Sequence, residues 1–217
     1  MEEKNLFRET AFIKFCYSLV KGIFGPVARL IWVKRVEGIE NIPRGGPCLI
    51  AANHNSYFDF ICLTAISPRR IYYLSAEKFF KSIKWRLLMK ITGQIKVERQ
   101  SKDKREVFGI VLSALRQGKA VGIFPEGTRS PDGQIKKPFT GVAKFALMAE
   151  VPVVPVGIEG TFEIMSRYDS FPKFVKKAVI KIGRPMHFQK HYGKCFNDEI
   201  LQEITREIMA VIIQLAK

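Results

Sequence analysis

From residue 47 onward, short apolar runs of strand length alternate with segments of helical periodicity, and few folds accommodate that alternation. Residues 47–53, 70–75, 94–98, 120–124, 153–158 and 175–182 read as strands. Residues 56–66, 77–91, 102–117 and 140–150 read as helices between them, and a polar loop runs from the strand at 120–124 to about Phe139. Asn197 caps a final helix, with Asp198 and Glu199 in its first turn and Ile200, Ile204, Ile208, Val211 and Leu215 on one apolar stripe. Such alternation predicts the α/β class: a single-domain αβ sandwich around a largely parallel central sheet. Working residues in such sheets gather at the carboxyl ends of strands. His54 and the segment after Phe124 both fall there.

The N-terminal part differs. Read as a helix, Thr10, Lys14, Ser18 and Lys21 form a narrow polar stripe, while Phe12, Ile13, Cys16, Tyr17, Leu19, Val20, Ile23 and Phe24 cover a broad apolar face. Gly25-Pro26 is expected to break or turn it, with a second short helix at 27–33 ending at Lys34-Arg35. Two readings fit: a helical pair packed on its own domain, or an amphipathic hairpin in the membrane interface. The hairpin sets the expected division, with residues 1–35 as a membrane-associating segment and 36–217 as the catalytic domain. Glu2 and Glu3 open the chain and Lys14 and Lys21 interrupt the apolar stretch, so no signal peptide is expected. No uncharged run reaches the ~20 residues of a membrane span.

A 217-residue chain with 47% hydrophobic and 26% charged residues is globular in composition. Its net charge of +16 favours anionic partners: nucleic acid, acidic headgroups, phosphorylated metabolites or an acidic carrier protein. Basic residues Lys78, Lys81, Lys84, Arg86 and Lys90 interleave with Phe79, Phe80, Trp85 and Leu87 on a helix that would suit nucleic acid, a membrane surface or plain solvent. Cys16, Cys48, Cys62 and Cys195 form no C-x-x-C pair and read as buried, reduced thiols of a cytosolic compartment. His187, His191 and Cys195 recur every fourth residue, but Pro185 and Gly193 argue against the helix that would align them as metal ligands, so no metal is expected.

Chemistry concentrates in two segments. His54 precedes Asp59 by five residues, which supplies a general base and a carboxylate to orient it. Alone, such a pair is more often structural. The second segment, Phe124-Pro125-Glu126-Gly127-Thr128-Arg129-Ser130, offers a carboxylate, a flexible backbone, a hydroxyl and a guanidinium able to fork onto phosphate. There is no G-x-S-x-G elbow for a serine nucleophile and no G-x-x-x-x-G-K-[ST] phosphate loop.

Together, Asn53-His54-x4-Asp59 and Phe124 to Ser130 resemble the glycerolipid acyltransferases, most closely the branch that acylates 1-acyl-glycerol-3-phosphate. Two weaker blocks keep the family's order: Gly93 to Arg99, ending in an acid-arginine pair, and Val151 to Val156, punctuated by prolines. Lys96 and Glu98 depart from the commoner residues of that second block, while Arg99 is retained. The resemblance spans about residues 36–185. It implies that His54 deprotonates the sn-2 hydroxyl of lysophosphatidic acid and that Asp59 orients His54. Arg99 and Arg129 would hold the acceptor's phosphate, with Phe124, Glu126, Gly127 and Thr128 shaping its pocket. The acyl donor would be an acyl carrier protein or CoA thioester, as co-substrate and with no cofactor. The expected setting is the cytoplasmic face of an anionic membrane, without nucleic acid. Glycerol-3-phosphate or another lysophospholipid is the alternative acceptor. The rival of another class is a non-catalytic basic protein that binds membranes or nucleic acid.

Overall fold

The computed structural model describes residues 10–81, 89, 91–97 and 105–217. A seven-stranded sheet organises the chain, in the order β1-β7-β6-β2-β5-β3-β4. Its strands are β1 (Val33–Glu37), β2 (Cys48–Ala52), β3 (Ile71–Ala76), β4 (Ile95–Val97), β5 (Ala120–Ile123), β6 (Val153–Glu159) and β7 (Ala178–Ile182). The five from β6 to β4 run parallel, β7 is antiparallel to β6, and β1 is parallel to β7. The described helices are α1 (Ala11–Ile31), α2 (Phe58–Ile66), a turn α3 (Lys78–Lys81), α4 (Arg105–Arg116), α5 (Gly141–Ala149), a turn α6 (Thr161–Ile164) and α7 (Asp198–Leu215).

Burial on both faces explains why β2 reads as a continuous apolar run rather than an alternating one. Leu49 and Ala51 face a core with Val121, Val153 and helices α4, α5 and α7. Cys48, Ile50 and Ala52 face the opposite core, with Ile71, Tyr73, Val154 and α2. This is the expected αβ sandwich. Gly122 on β5 matters for its missing side chain: a Cβ there would lie 2.4 Å from the Tyr73 ring. At the chain's end, the Asn197 side chain accepts from the N–H of Ile200, 3.0 Å away, as its position before α7 predicts.

The N-terminal expectation needs correcting. Instead of a hairpin, α1 is one helix of 21 residues with Pro26 inside it. A proline there costs ~3 kcal/mol in a helix interior because it removes a hydrogen bond and crowds the carbonyl four residues back. Packing on α2 offsets this. Gly25 brings the two backbones close, its Cβ position 3.6 Å from the carbonyl oxygen of Ala65, and Ala28 is buried beside it. Lys21 donates to the Ser67 carbonyl at the end of α2. Trp32, the C-cap, meets Phe58 edge-on at 4.8 Å. Residues 33–35, expected to close a second helix, begin β1. That strand crosses residue 35, the expected end of the membrane-associating segment, so helix and sheet are joined without a linker.

By length and composition α1 is apolar enough to cross a membrane. Its outward face carries Phe12, Phe15, Leu19, Ile23, Phe24, Val27 and Leu30, all exposed. Most of the basic helix expected at 77–91, including Lys84, Trp85, Arg86, Leu87 and Lys90, lies outside the described residues. His187, His191 and Cys195 share no helix face, because the only helical turn among them is the 3-10 turn Gln189–His191.

Candidate active site

The parallel sheet delivers His54 two residues past the carboxyl end of β2. Asn53 extends the strand by pairing its side chain with β6: its amide donates to the Ile158 carbonyl (2.8 Å) and accepts from the Ile158 N–H (2.7 Å). The chain then turns into α2 through Ser56, whose hydroxyl donates to the Met165 carbonyl at 2.6 Å and accepts from the Phe58 N–H at 3.0 Å. Asp59 falls in the first turn of α2, where exposed N–H groups favour a carboxylate.

Four donors converge on that carboxylate. Oδ2 accepts from the N–H groups of Asn55 (2.7 Å) and Ser56 (2.8 Å) and lies 2.8 Å from Nδ1 of His54. Oδ1 accepts from the Thr161 hydroxyl at 2.5 Å. Asp59 is fully buried, whereas the His54 side chain keeps 13% of its surface accessible. With Nδ1 donating to Asp59, Nε2 is the imidazole nitrogen left with a lone pair. The Phe124 ring stacks on the imidazole at 4.0 Å and 14°, and Tyr73 stacks behind it at 6.1 Å.

The second segment holds His54 from both sides. Glu126 Oε1 accepts the His54 N–H at 2.8 Å, and the Ser130 N–H donates to the His54 carbonyl at 2.8 Å. Glu126 Oε2 accepts the Lys136 N–H, also at 2.8 Å, which fastens the loop that follows. Glu126 is buried, and burial pushes its carboxyl above the usual range against the pull of those two N–H groups. Both its oxygens thus serve backbone groups. Gly127 makes the turn between Glu126 and Thr128 possible, with φ at +67°.

His54 and Phe124 through Thr128 line a cavity of about 690 Å³. Beyond them its wall is apolar, formed by Leu74, Val97, Val107, Phe108, Val142 and Phe145, and Lys144 also lines it. Arg129 does not line this cavity. Its guanidinium lies 3.5 Å from the centre of the Tyr57 ring, on the turn that carries His54. Arg99 lies outside the described residues. Neither nearby cysteine has the character of a nucleophile: burial raises Cys48 to about 11 and Cys62 to about 12.

Thr161 and Lys144 escaped the sequence reading. Lys144 carried no local signal. Thr161 lies 102 residues beyond Asp59 and is fully buried. Its place depends on Gly160, whose φ of +78° and close approach to the Lys177 carbonyl (2.3 Å from a built Cβ) exclude a side chain. Thr161 is a positioning residue, since it reaches the His54 imidazole only through Asp59. Thr161→Val keeps the shape and removes the donor. It is expected to lower kcat by about tenfold to a hundredfold, in line with ~1.5–3 kcal/mol for a hydrogen bond to a charged group, while acceptor KM stays put. Thr161→Ser should restore turnover. Steady-state kinetics of both variants check this; an equal loss in the serine variant would contradict it.

A mixed sheet with a His–Asp pair at its carboxyl edge, beside an apolar cavity, has known relatives. The acyltransferase family profile matches residues 33–159, and this chain belongs to the acyltransferase family. It is an acyltransferase enzyme, which removes the non-catalytic rival. The 1-acyl-sn-glycerol-3-phosphate acyltransferase of Bacillus subtilis is 32% identical over 206 residues, 93% of this chain and 96% of its own length. A chloroplastic 1-acyl-sn-glycerol-3-phosphate acyltransferase of Arabidopsis thaliana is 30% identical over 159 residues, 71% of this chain but 44% of that longer protein. The crystal structure of the 1-acyl-sn-glycerophosphate (LPA) acyltransferase from Thermotoga maritima shares the fold, with a TM-score of 0.74 and 23% identity over 97% of this chain and 84% of that one.

Proposed function

We propose that this enzyme transfers an acyl group from an acyl carrier protein or CoA thioester to the sn-2 hydroxyl of 1-acyl-glycerol-3-phosphate, forming phosphatidic acid. The observation that carries the reading is the His54 imidazole, fixed through Nδ1 by Asp59 and bordering a cavity with an apolar wall. In this reading Nε2 takes the hydroxyl proton as the sn-2 oxygen attacks the thioester carbonyl. The C–O bond forms, the C–S bond breaks, and the proton passes from His54 to the departing thiolate. Asp59 steadies the imidazolium between those transfers. A thioester is already activated, so the step needs no acyl-enzyme. The apolar wall would take the donor's acyl chain. An acceptor series of lysophosphatidic acid, glycerol-3-phosphate and other lysophospholipids tests the substrate: turnover should be highest with lysophosphatidic acid, and a clear preference for another acceptor would overturn the assignment.

Arg129, with Arg99, would hold the acceptor's phosphate. The Tyr57 ring supports the Arg129 guanidinium from one side, which favours a fixed orientation. Arg129→Ala is expected to raise acceptor KM by about tenfold to a hundredfold, the equivalent of ~1.5–3 kcal/mol. Acceptor titrations at fixed donor measure this, and an unchanged KM would move the phosphate elsewhere.

The setting proposed is the cytoplasmic face of a membrane, with the outward face of α1 in the interface. Its exposed phenylalanines and leucines suit the boundary between headgroups and chains, and the acceptor's own chain would stay in the bilayer while its headgroup enters the site.

A further inference from the structure

We infer that residues 166–177, between α6 and β7, form a second membrane-contacting surface that sets the catalytic turn against anionic lipid. The inference extends the interfacial reading of α1 and rests on the proposed lipid substrate only for its activity arm. The segment reads Ser-Arg-Tyr-Asp-Ser-Phe-Pro-Lys-Phe-Val-Lys-Lys and contains neither helix nor strand.

Its side chains are sorted unlike those of an ordinary polar loop. Tyr168, Phe171 and Phe174 are 72%, 82% and 78% exposed, as bare as the outward residues of α1. Arg167, Lys173, Lys176 and Lys177 stand among them. The one acid, Asp169, is used internally, accepting the Ser166 N–H at 2.7 Å. The backbone that carries these rings is held in place: Lys173 donates its N–H to the Ile164 carbonyl at 2.8 Å. The Lys173 carbonyl in turn accepts from the Trp32 indole at 3.0 Å.

Two junctions give the segment its meaning. At one, Phe174 stacks on Trp32 with ring centres 6.0 Å apart, so the loop abuts the end of α1. At the other, the preceding residues grip the catalytic turn, through the Thr161 hydroxyl on Asp59 and the Met165 carbonyl on Ser56. The chain from Thr161 to Phe174 therefore touches both the turn that carries His54 and the end of α1, and residues 166–177 are its exposed half. Aromatic rings interleaved with cations match the headgroup boundary of an anionic bilayer, where rings reach the chains and cations meet phosphate. An acidic protein would satisfy the cations and leave three protruding rings in water.

The experiment compares the full-length protein with a Tyr168→Ser/Phe171→Ser variant and a Phe12→Ser/Phe15→Ser variant. Binding is read by co-flotation with vesicles of neutral phosphatidylcholine, with and without phosphatidylglycerol. The loop variant should bind the anionic vesicles at least about tenfold more weakly, given the apolar area of two rings. Lys173→Gln/Lys176→Gln should weaken binding only where phosphatidylglycerol is present. Turnover of vesicle-embedded lysophosphatidic acid should fall with binding, while turnover of a short-chain, monomeric lysophosphatidic acid stays at the wild-type rate. Wild-type vesicle binding by the loop variant, with loss in the α1 variant alone, would overturn this inference and leave the α1 reading standing. Loss in neither variant would overturn both. A loop variant that binds vesicles normally but fails only with an acyl carrier protein donor would assign the surface to that carrier instead. Full binding with slow turnover of the monomeric substrate would make the loop structural.

Discussion

Replacement of His54 by alanine is expected to lower kcat by at least ~10²–10⁴, the usual contribution of a positioned general base. The fold should survive. The bonds that fix this position run through its backbone, from the N–H to Glu126 and from the carbonyl to Ser130, and alanine keeps both. What disappears is the imidazole, with its hydrogen bond to Asp59 and its stack on Phe124, while Asp59 keeps its other three donors. The variant should therefore melt close to the wild type and bind vesicles as before. Steady-state turnover and a thermal melt on the same preparation separate the two effects. Near-normal turnover by a sequence-verified variant would remove His54 from the chemistry.

Asp59→Asn should give the second-largest loss, and a different pattern. The carboxylate accepts from two backbone N–H groups, one imidazole and one hydroxyl. An amide has one oxygen to offer them and turns an NH₂ toward the rest. Because three of the four donors meet at Oδ2, the amide oxygen takes that place and the NH₂ meets the Thr161 hydroxyl, so His54 keeps its bond but loses the negative charge beside it. An expected fall in kcat of about a hundredfold or more follows from losing the carboxylate charge that steadies the imidazolium. Acceptor KM should change little. Stability should drop as well, by ~1–3 kcal/mol for a buried donor left without a partner. For a chain of this size that is a melting point lower by about 2–4 °C per kcal/mol. Equal losses in turnover and substrate binding would instead make Asp59 a purely structural residue.

How far the sequence foretold this site depends on where each partner stands in the chain. His54 and Asp59 were legible because both lie within one strand-to-helix turn. Their separation of five residues lets α2's first turn reach back to the end of β2. The segment from Phe124 was legible as chemistry, but its geometry was not. Glu126 was expected to help shape the acceptor's pocket; it lines the cavity, and what the sequence did not show is that both its oxygens accept from the backbone of His54 and Lys136. Thr161 could not be read at all, since only the register of β6 beside β2 brings α6 over Asp59. The sheet followed from runs such as Cys48–Ala52, whose burial on both faces leaves no alternation. β1 was lost because its Val-Lys-Arg-Val-Glu carries three charges in five residues, as an edge strand can, and follows directly on a helix. Gly25-Pro26 misled for a related reason. Local propensity called for a break, and the fit of Gly25 and Ala28 on α2 overrode it.

The central claim is a single transfer from thioester to lipid hydroxyl, driven by His54 and without an acyl-enzyme. Its most direct test follows thiol release from an acyl-CoA or acyl carrier protein donor, with and without lysophosphatidic acid, and weighs the intact protein by mass spectrometry at each stage. The account predicts thiol release only when donor and acceptor are both present, phosphatidic acid in equal amount, and a protein mass that never changes. A burst of thiol equal to the enzyme in the absence of acceptor, with one acyl group added to the protein, would contradict it.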